Sequence, residues 1–420
     1  MLDARVIRDD EQQIRNALSN RNLEQSVLDR FLEVDGRWRS LTDEANGLRK
    51  QRNVVAAVIP ELPESEKKAK IEEMKSITNR IKEIDVELGE LDSTRDDCLL
   101  NLPNVPDPSV PVGKGAEDNV LVRSWGEPRQ FDFAPQTHWD IGTRLDIIDF
   151  ERGAKVAGTG FYVLKGDGAR LERAMINYML DIHREQGYTE VFPPVVVNRR
   201  SCIGTASLPK MHDDMYWIER DDLYLNPTAE VPVTNLFNGE ILDGHELPIL
   251  YTAYLPSFRR EAGKHLETKG IARVHQFNKV ELVKFTLPET SQKELELLLV
   301  DAEAVLRGLG LSYRVMLLCT GDLTFASTKT YDIEAHSPGM EQWLEVSSCS
   351  DFKSFQARRA MIKFRREPHL KSEFVHTLNG SGIALARTFA AVLENYQNRD
   401  GSVTIPEVLR PYMKGQEVLQ

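Results

Sequence analysis

Arg259 and Glu261 stand two residues apart at the end of one β-like segment, and Phe277 and Glu281 stand in the next, within FRREAGKHLETKGIARVHQFNKVE at 258–281. A guanidinium can fork onto a phosphate, and an aromatic ring offers a stacking surface. The two ends are rich in aromatic and β-branched residues, and a polar loop containing Gly and Lys joins them. The stretch therefore reads as an antiparallel hairpin that holds a ligand between strand and loop. Residues two apart on a strand share a face, so Arg259 and Glu261 are expected side by side. This set suits a nucleoside triphosphate held without a Gly-rich phosphate loop.

Singly, each of these residues also suits an exposed ion pair or a packed core, and other segments decide between the readings. In GSGIALARTFAAVLENYQ (380–397), small residues are expected to open a helix that lies close to a sheet, and Arg387 is its only basic side chain. In YLNPTAEVPVTN (224–235), Thr228, Ala229 and Glu230 follow a Pro-marked turn. A carboxylate beside a hydroxyl is what a buried ammonium group needs, although Thr-Ala-Glu is also a common helix start. GYTEVFPPVVV (187–197) is a Pro-broken apolar run.

Together these segments resemble the class II aminoacyl-tRNA synthetases, with GYTEVFPPVVV and its Pro194 as motif 1, the hairpin as motif 2 and the Arg387 segment as motif 3. The Thr228-Ala229-Glu230 triplet resembles the serine-binding loop of the seryl-tRNA synthetases. NLPNVPDPSVPVG (101–113), LCTGDLTFASTKTYDIE (318–334), EVSSCSDF (345–352), HTLNGSG (376–382) and IPEVLRPYM (405–413) extend the likeness over most of the chain.

The resemblance implies activation of L-serine by ATP, then transfer to the 3'-terminal ribose of tRNA(Ser); tRNA(Sec) stays open as a second substrate. It implies Arg259 on the α-phosphate, Arg387 on the terminal phosphate, Glu261 at the adenine end and Phe277 on the base. Arg260, Val274, Val346 and Ser347 complete the ATP site, and Glu345 with Ser348 holds Mg2+. Glu230 meets the serine ammonium group and Glu281 with Ser381 the hydroxyl, with Ala229, Asn379 and Arg259 completing that site. Motif 1 implies a homodimer. His336, Ser337, the Gly160-Phe161 pair and Leu282 depart from the commoner pattern, none of them at a residue assigned to chemistry.

These residues need a scaffold, and the strand-like segments beyond residue 113 lack the regular βαβ rhythm of a doubly wound sheet. An α+β fold is expected, with an antiparallel sheet flanked by helices at about 169–186 and 291–309. Ahead of it, Phe31, Val34, Trp38, Leu41, Ala45, Leu48, Arg52 and Val55 alternate spacings of three and four, as do Met74, Ile77, Ile81, Ile84, Leu88 and Leu91. Pro60 and Pro63 interrupt the pattern, so an antiparallel helical hairpin is expected, each arm extending about 45 Å. The Pro-rich stretch at 101–113 marks a boundary between an N-terminal domain, 1–112, and a catalytic domain, 113–420.

Arg49, Lys50 and Arg52 on one arm and Lys67, Lys68, Lys70 and Lys75 on the other converge near the hairpin's turn. A formal net charge of −12 argues against a nonspecific nucleic-acid binder, so this local cluster is the candidate for tRNA. In the family, the arm meets the long variable arm of the partner subunit's tRNA. A paralogue that passes serine to a carrier protein would lack the hairpin, and a non-catalytic relative would have lost Arg259, Arg387 or the Thr-Ala-Glu loop. The chain keeps them all.

Cys98, Cys202, Cys319 and Cys349 are scattered without a CxxC pair, so neither disulfides nor zinc are expected, although His265 and His275 leave a site formed only in three dimensions open. No apolar run reaches bilayer length and the N-terminus has no signal-peptide core, which points to the cytoplasm and away from membranes.

Overall fold

The computed structural model describes residues 1–262 and 270–420; the intervening 263–269, including His265, lie outside the described residues. The chain forms two compact units, Leu2–Pro103 and, apart from Met1, Asn104–Gln420.

In the first unit, α1 (Ser26–Val58) and α2 (Glu64–Asn101) pair as an antiparallel hairpin across the short turn Ile59–Glu61. The heptad stripes face each other as their spacing requires: Leu41 and Ala45 pack on Ile84, and Val55 on Ile77 and Ile81. Exposed cross-helix pairs, Arg37–Glu87, Arg49–Asp85 and Arg80–Glu44, flank the seam. Asp35, only 2% exposed, is neutralised from two sides by Arg8 at 3.0 Å and Arg95 at 2.7 Å.

The second unit is built on one eight-stranded sheet: β1 (Val120–Trp125), β2 (Thr189–Glu190), β3 (Ile249–Phe258), β4 (Gln276–Thr286), β5 (Tyr313–Leu317), β6 (Lys329–Ser337), β7 (Gln342–Asp351) and β8 (His376–Ala384). Their order is β1-β5-β6-β7-β8-β4-β3-β2, and every pairing is antiparallel except β2 with β3. The helices that matter to the site are α3 (His138–Arg144), α4 (Asp167–Glu185), α5 (Ser291–Gly308) and α6 (Leu385–Asn395). Residues from α4, α5 and α6, such as Met175, Leu298 and Phe389, share one core with Val280 and Leu282 of β4. The alternate residues Val283 and Phe285 join a second core with Ala229, Ala253, Leu255 and Phe364. The Pro-rich stretch contributes to this unit from Asn104 onward: the Asn104 amide donates to the Ala326 and Phe352 carbonyls at 2.8 and 2.9 Å.

Two local expectations are corrected. Gly380–Ala384 belongs to β8, and the helix begins only at Leu385. The glycines are needed for close strand approach, since a Cβ at Gly380 would lie 2.9 Å from the Cys349 sulfur and one at Gly382 would lie 2.4 Å from His183 Nε2. Arg259 and Glu261 do not share a strand face either. β3 stops at Phe258, and the backbone N–H groups of Arg260 and Ala262 turn to Asp214, leaving Glu261 at φ +51°.

Two bulges set the site's geometry. Between β4 and β8 the register steps from Val280–Ile383 to Glu281–Ser381, so Gly382 is the extra residue. Between β6 and β7 it steps from Ile333–Ser347 to Glu334–Glu345, so Val346 is extra. Each inserted residue reverses the side-chain alternation beyond it.

Candidate active site

A cavity of about 560 Å³ lies on the sheet, walled by residues from β4, β7, β8, the start of α6, and the segments before and after the undescribed loop. Of the residues singled out in the sequence, Thr228, Glu230, Arg259, Glu261, Val274, Phe277, Glu281, Glu345, Val346, Ser348, Asn379, Ser381 and Arg387 line it. Three do not. Ala229 is buried in the second core, Ser347 turns inward and donates to the Ser381 carbonyl at 2.6 Å, and Arg260 points outward to the Asp213 carbonyl at 3.3 Å. A more open depression of about 690 Å³, lined by Trp139, Arg144 and Phe150, has no comparable set of converging charges.

One group of side chains in the cavity centres on two carboxylates. The buried Glu281 accepts from the Thr228 hydroxyl at 2.7 Å and pairs with Lys279, both through Oε2. Glu230 is held by the Gln356 side-chain amide at 2.6 Å, and Gln356 is fixed in turn by the Thr377 hydroxyl at 2.8 Å. Burial, and then the neighbouring Glu281, push the Glu230 carboxyl up to about 7. A cation arriving here would restore its ionised form.

A second group centres on two guanidiniums. The Arg259 guanidinium stacks 5.4 Å from the Phe277 ring centroid and donates from Nε to the Pro227 carbonyl at 3.3 Å. Burial and the nearby Arg387 lower its pKa. Arg387 reaches the Ala272 carbonyl from Nε at 3.2 Å and the Glu345 carbonyl from Nη1 at 2.7 Å, with the Glu345 carboxylate 3.4 Å away. Two guanidiniums facing one cavity repel each other, and a polyanion between them relieves that cost.

Lys279, Gln356, Arg273 and Asp332 escaped the sequence reading. Arg273 pairs with Glu261 at 2.6 Å and so fixes the carboxylate that leaves the strand. Asp332 lies opposite Ser348 in the β6–β7 ladder; one of its oxygens is buried without a hydrogen-bond partner, and burial and then Glu345 raise its pKa. Lys279 alone carried a sequence signal, being two residues before Glu281 on an alternating strand.

At the hairpin's turn, Arg49, Lys67, Lys70 and Lys75 each have an acidic neighbour, Asp85, Glu64, Glu73 and Glu72. Such surface pairs are worth little and yield readily to phosphate. Lys50, Arg52 and Lys68 make no ion pair among the described residues.

The model of the tRNA synthetase class II core domain (G, H, P, S and T) matches residues 216–396, and that of the seryl-tRNA synthetase N-terminal domain matches 1–106. With the antiparallel sheet and its cavity, these matches define a class II aminoacyl-tRNA synthetase. The serine–tRNA ligase of Methanosarcina barkeri is 53% identical over 99% of this chain and 98% of its own length. That of Pelotomaculum thermopropionicum is 55% identical over 99% of both. The crystal structure of seryl-tRNA synthetase from Pyrococcus horikoshii complexed with ATP superimposes with a TM-score of 0.95 at 39% identity, covering 100% of this chain and 99% of that one. The chain belongs to the seryl-tRNA synthetase family.

Proposed function

We propose that the protein activates L-serine with ATP to seryl-adenylate and pyrophosphate, and then transfers serine to the 3'-terminal ribose of tRNA(Ser). The observation that carries this reading is that Glu230, Glu281, Arg259 and Arg387 line one cavity. A zwitterionic amino acid fits there with its ammonium group at Glu230 and its carboxylate toward the guanidiniums.

Serine brings its own nucleophile, so the protein has only to position groups and neutralise charge. The serine carboxylate attacks the α-phosphorus and pyrophosphate leaves. Arg259 holds the α-phosphate, Arg387 the terminal phosphate, Phe277 the base and Glu261 the adenine end. Glu345 and Ser348, with the unpaired Asp332 oxygen beside them, form an all-oxygen donor set that fits Mg2+. When bound, Mg2+ supplies further neutralisation of the ATP phosphates. In the second step a ribose hydroxyl attacks the adenylate carbonyl, and no protein nucleophile takes part.

The basic cluster at the turn of the N-terminal domain, 1–112, is assigned to the tRNA backbone. A homodimer is supported by the motif 1 resemblance and by the position of β2, its one strand in the large sheet, at a sheet edge. A cytoplasmic location goes with tRNA charging, and no helix among the described residues is long and apolar enough to cross a membrane.

Serine-dependent pyrophosphate exchange followed by charging of tRNA(Ser) tests the reading, and charging of tRNA(Sec) in the same assay settles the second substrate. Exchange without charging would favour transfer to a carrier, and neither activity would favour a non-catalytic relative. Within this assay, Glu281→Ala is expected to narrow the serine-over-alanine ratio of kcat/KM, because alanine leaves the buried acceptor unpaired whereas serine donates to it. An unchanged ratio with measurable activity would sink the assignment of Glu281 to the hydroxyl.

The pH profile gives a second check. The unliganded Glu230 keeps its proton below about pH 7, and only its anion receives an ammonium group. Serine kcat/KM is therefore expected to fall as pH drops below about 7, approaching about tenfold per unit, with proton release on binding. Glu230→Gln should lower activity and remove this limb; a limb that persists unaltered belongs to another group.

A further inference from the structure

Behind the cavity, His138 and Glu394 form a pair to which the activity gives no role, both side chains wholly buried. Glu394, on α6, accepts the His138 backbone N–H at 2.9 Å and faces its Nδ1 at 2.8 Å through one oxygen. Through the other it accepts the Ser337 hydroxyl and the N–H groups of Gly339 and Met340 at 2.8 and 3.2 Å. So many donors hold the carboxylate ionised, with its pKa lowered despite burial. The imidazole must then carry its proton on Nδ1 and present a lone pair on Nε2. That lone pair receives the Ile271 N–H at 3.1 Å.

The contact falls at a sensitive place. Ile271, Ala272, Arg273 and Val274 line the cavity as the chain returns toward β4. The Ala272 carbonyl accepts Arg387 Nε, and Arg273 pairs with Glu261. Gly270, at φ +86°, makes the approach possible, since a Cβ there would lie 2.2 Å from His138 Nε2. One imidazole nitrogen thus pins the strip that aligns both Arg387 and Glu261.

We propose that His138 is a positioning residue for ATP, its tautomer set by Glu394 and its Nε2 fixing the Ile271–Val274 wall; the proposal rests on the assignment of this cavity to ATP and serine. Two variants separate its parts. The amide of glutamine extends to the place of Nε2 and can still accept from Ile271, whereas that of asparagine reaches only the place of Nδ1. In pyrophosphate exchange, His138→Asn is expected to raise the KM for ATP about tenfold while the serine KM stays within about twofold, the scale of one lost buried hydrogen bond. His138→Gln should keep the ATP KM within about threefold of wild type, although it loses the Glu394 contact.

Equal ATP defects in the two variants, parallel rises in both KM values, or a lower melting temperature with both KM values unchanged would each overturn the proposal. If the asparagine variant does not fold, the wild-type protein decides through the ¹⁵N spectrum of its histidines. The signal lost in His138→Gln should show a protonated Nδ1 and an unprotonated Nε2, and the opposite tautomer overturns the proposal. Serine-dependent exchange by the wild type upholds the function whatever the variants do, while its absence removes the function itself.

Discussion

Arg259→Ala is expected to slow adenylation by about 2–4 kcal/mol of lost transition-state stabilisation, roughly 30- to 1,000-fold in pyrophosphate exchange. The guanidinium is already stacked on Phe277 and tied to the Pro227 carbonyl, so it meets developing charge with little reorganisation. Burial and Arg387 already disfavour its charged form, which makes an intervening phosphate more valuable than it would be at the surface. The loss should fall mainly on kcat. Removing the charge should also relieve repulsion with Arg387, so the variant is expected to fold. Near-normal exchange would take Arg259 out of its assigned role.

Removal of residues 31–96 with a short connecting linker is expected to spare serine activation and to lower tRNA charging by about 100-fold or more, since backbone contacts dominate nucleic-acid affinity. The unit Asn104–Gln420 has its own core, and the described residues that line the cavity all belong to it. Charging by the intact chain should also fall with rising salt more steeply than charging by the shortened one. The variant's melting transition and mass need checking first. Equal loss of activation and charging in a folded, wild-type-like oligomer would mean that the arm is no dedicated RNA-binding element.

What could be read in the sequence was local. The heptads of α1 and α2 specified their own partner, and Arg259, Phe277, Glu281 and Arg387 stood in short runs whose order carried the family likeness. What could not be read depends on contacts between distant segments. Gln356 reaches Glu230 across 126 residues and His138 reaches Glu394 across 256, and no spacing rule links such pairs. The helix expected at Gly380 failed for a related reason: small residues suit a helix packed on a sheet as well as a strand crowded between two others, and pairing with β4 and β7 decided for the strand. The departure of Glu261 from its strand depended on Asp214, which no local pattern joins to it.

The extra residue at Gly382 has a further consequence. Ahead of it Asn379 and Ser381 face the cavity, and after it Ala384 does, followed by Ala386 and Arg387 on α6. Ser381 and Ala384 stand three apart and would face opposite sides of a regular strand, so the extra residue is what lets both face the cavity. Loss of the extra residue itself would leave a regular strand with Ser381 and Ala384 still on one face, whereas one more residue added between them would turn the chain from Ala384 onward to the other side of the sheet. Divergence here can proceed by exchange of side chains, or by loss of the extra residue, but not by a further insertion, which would carry Arg387 away from the residues that precede the bulge without altering any of their side chains.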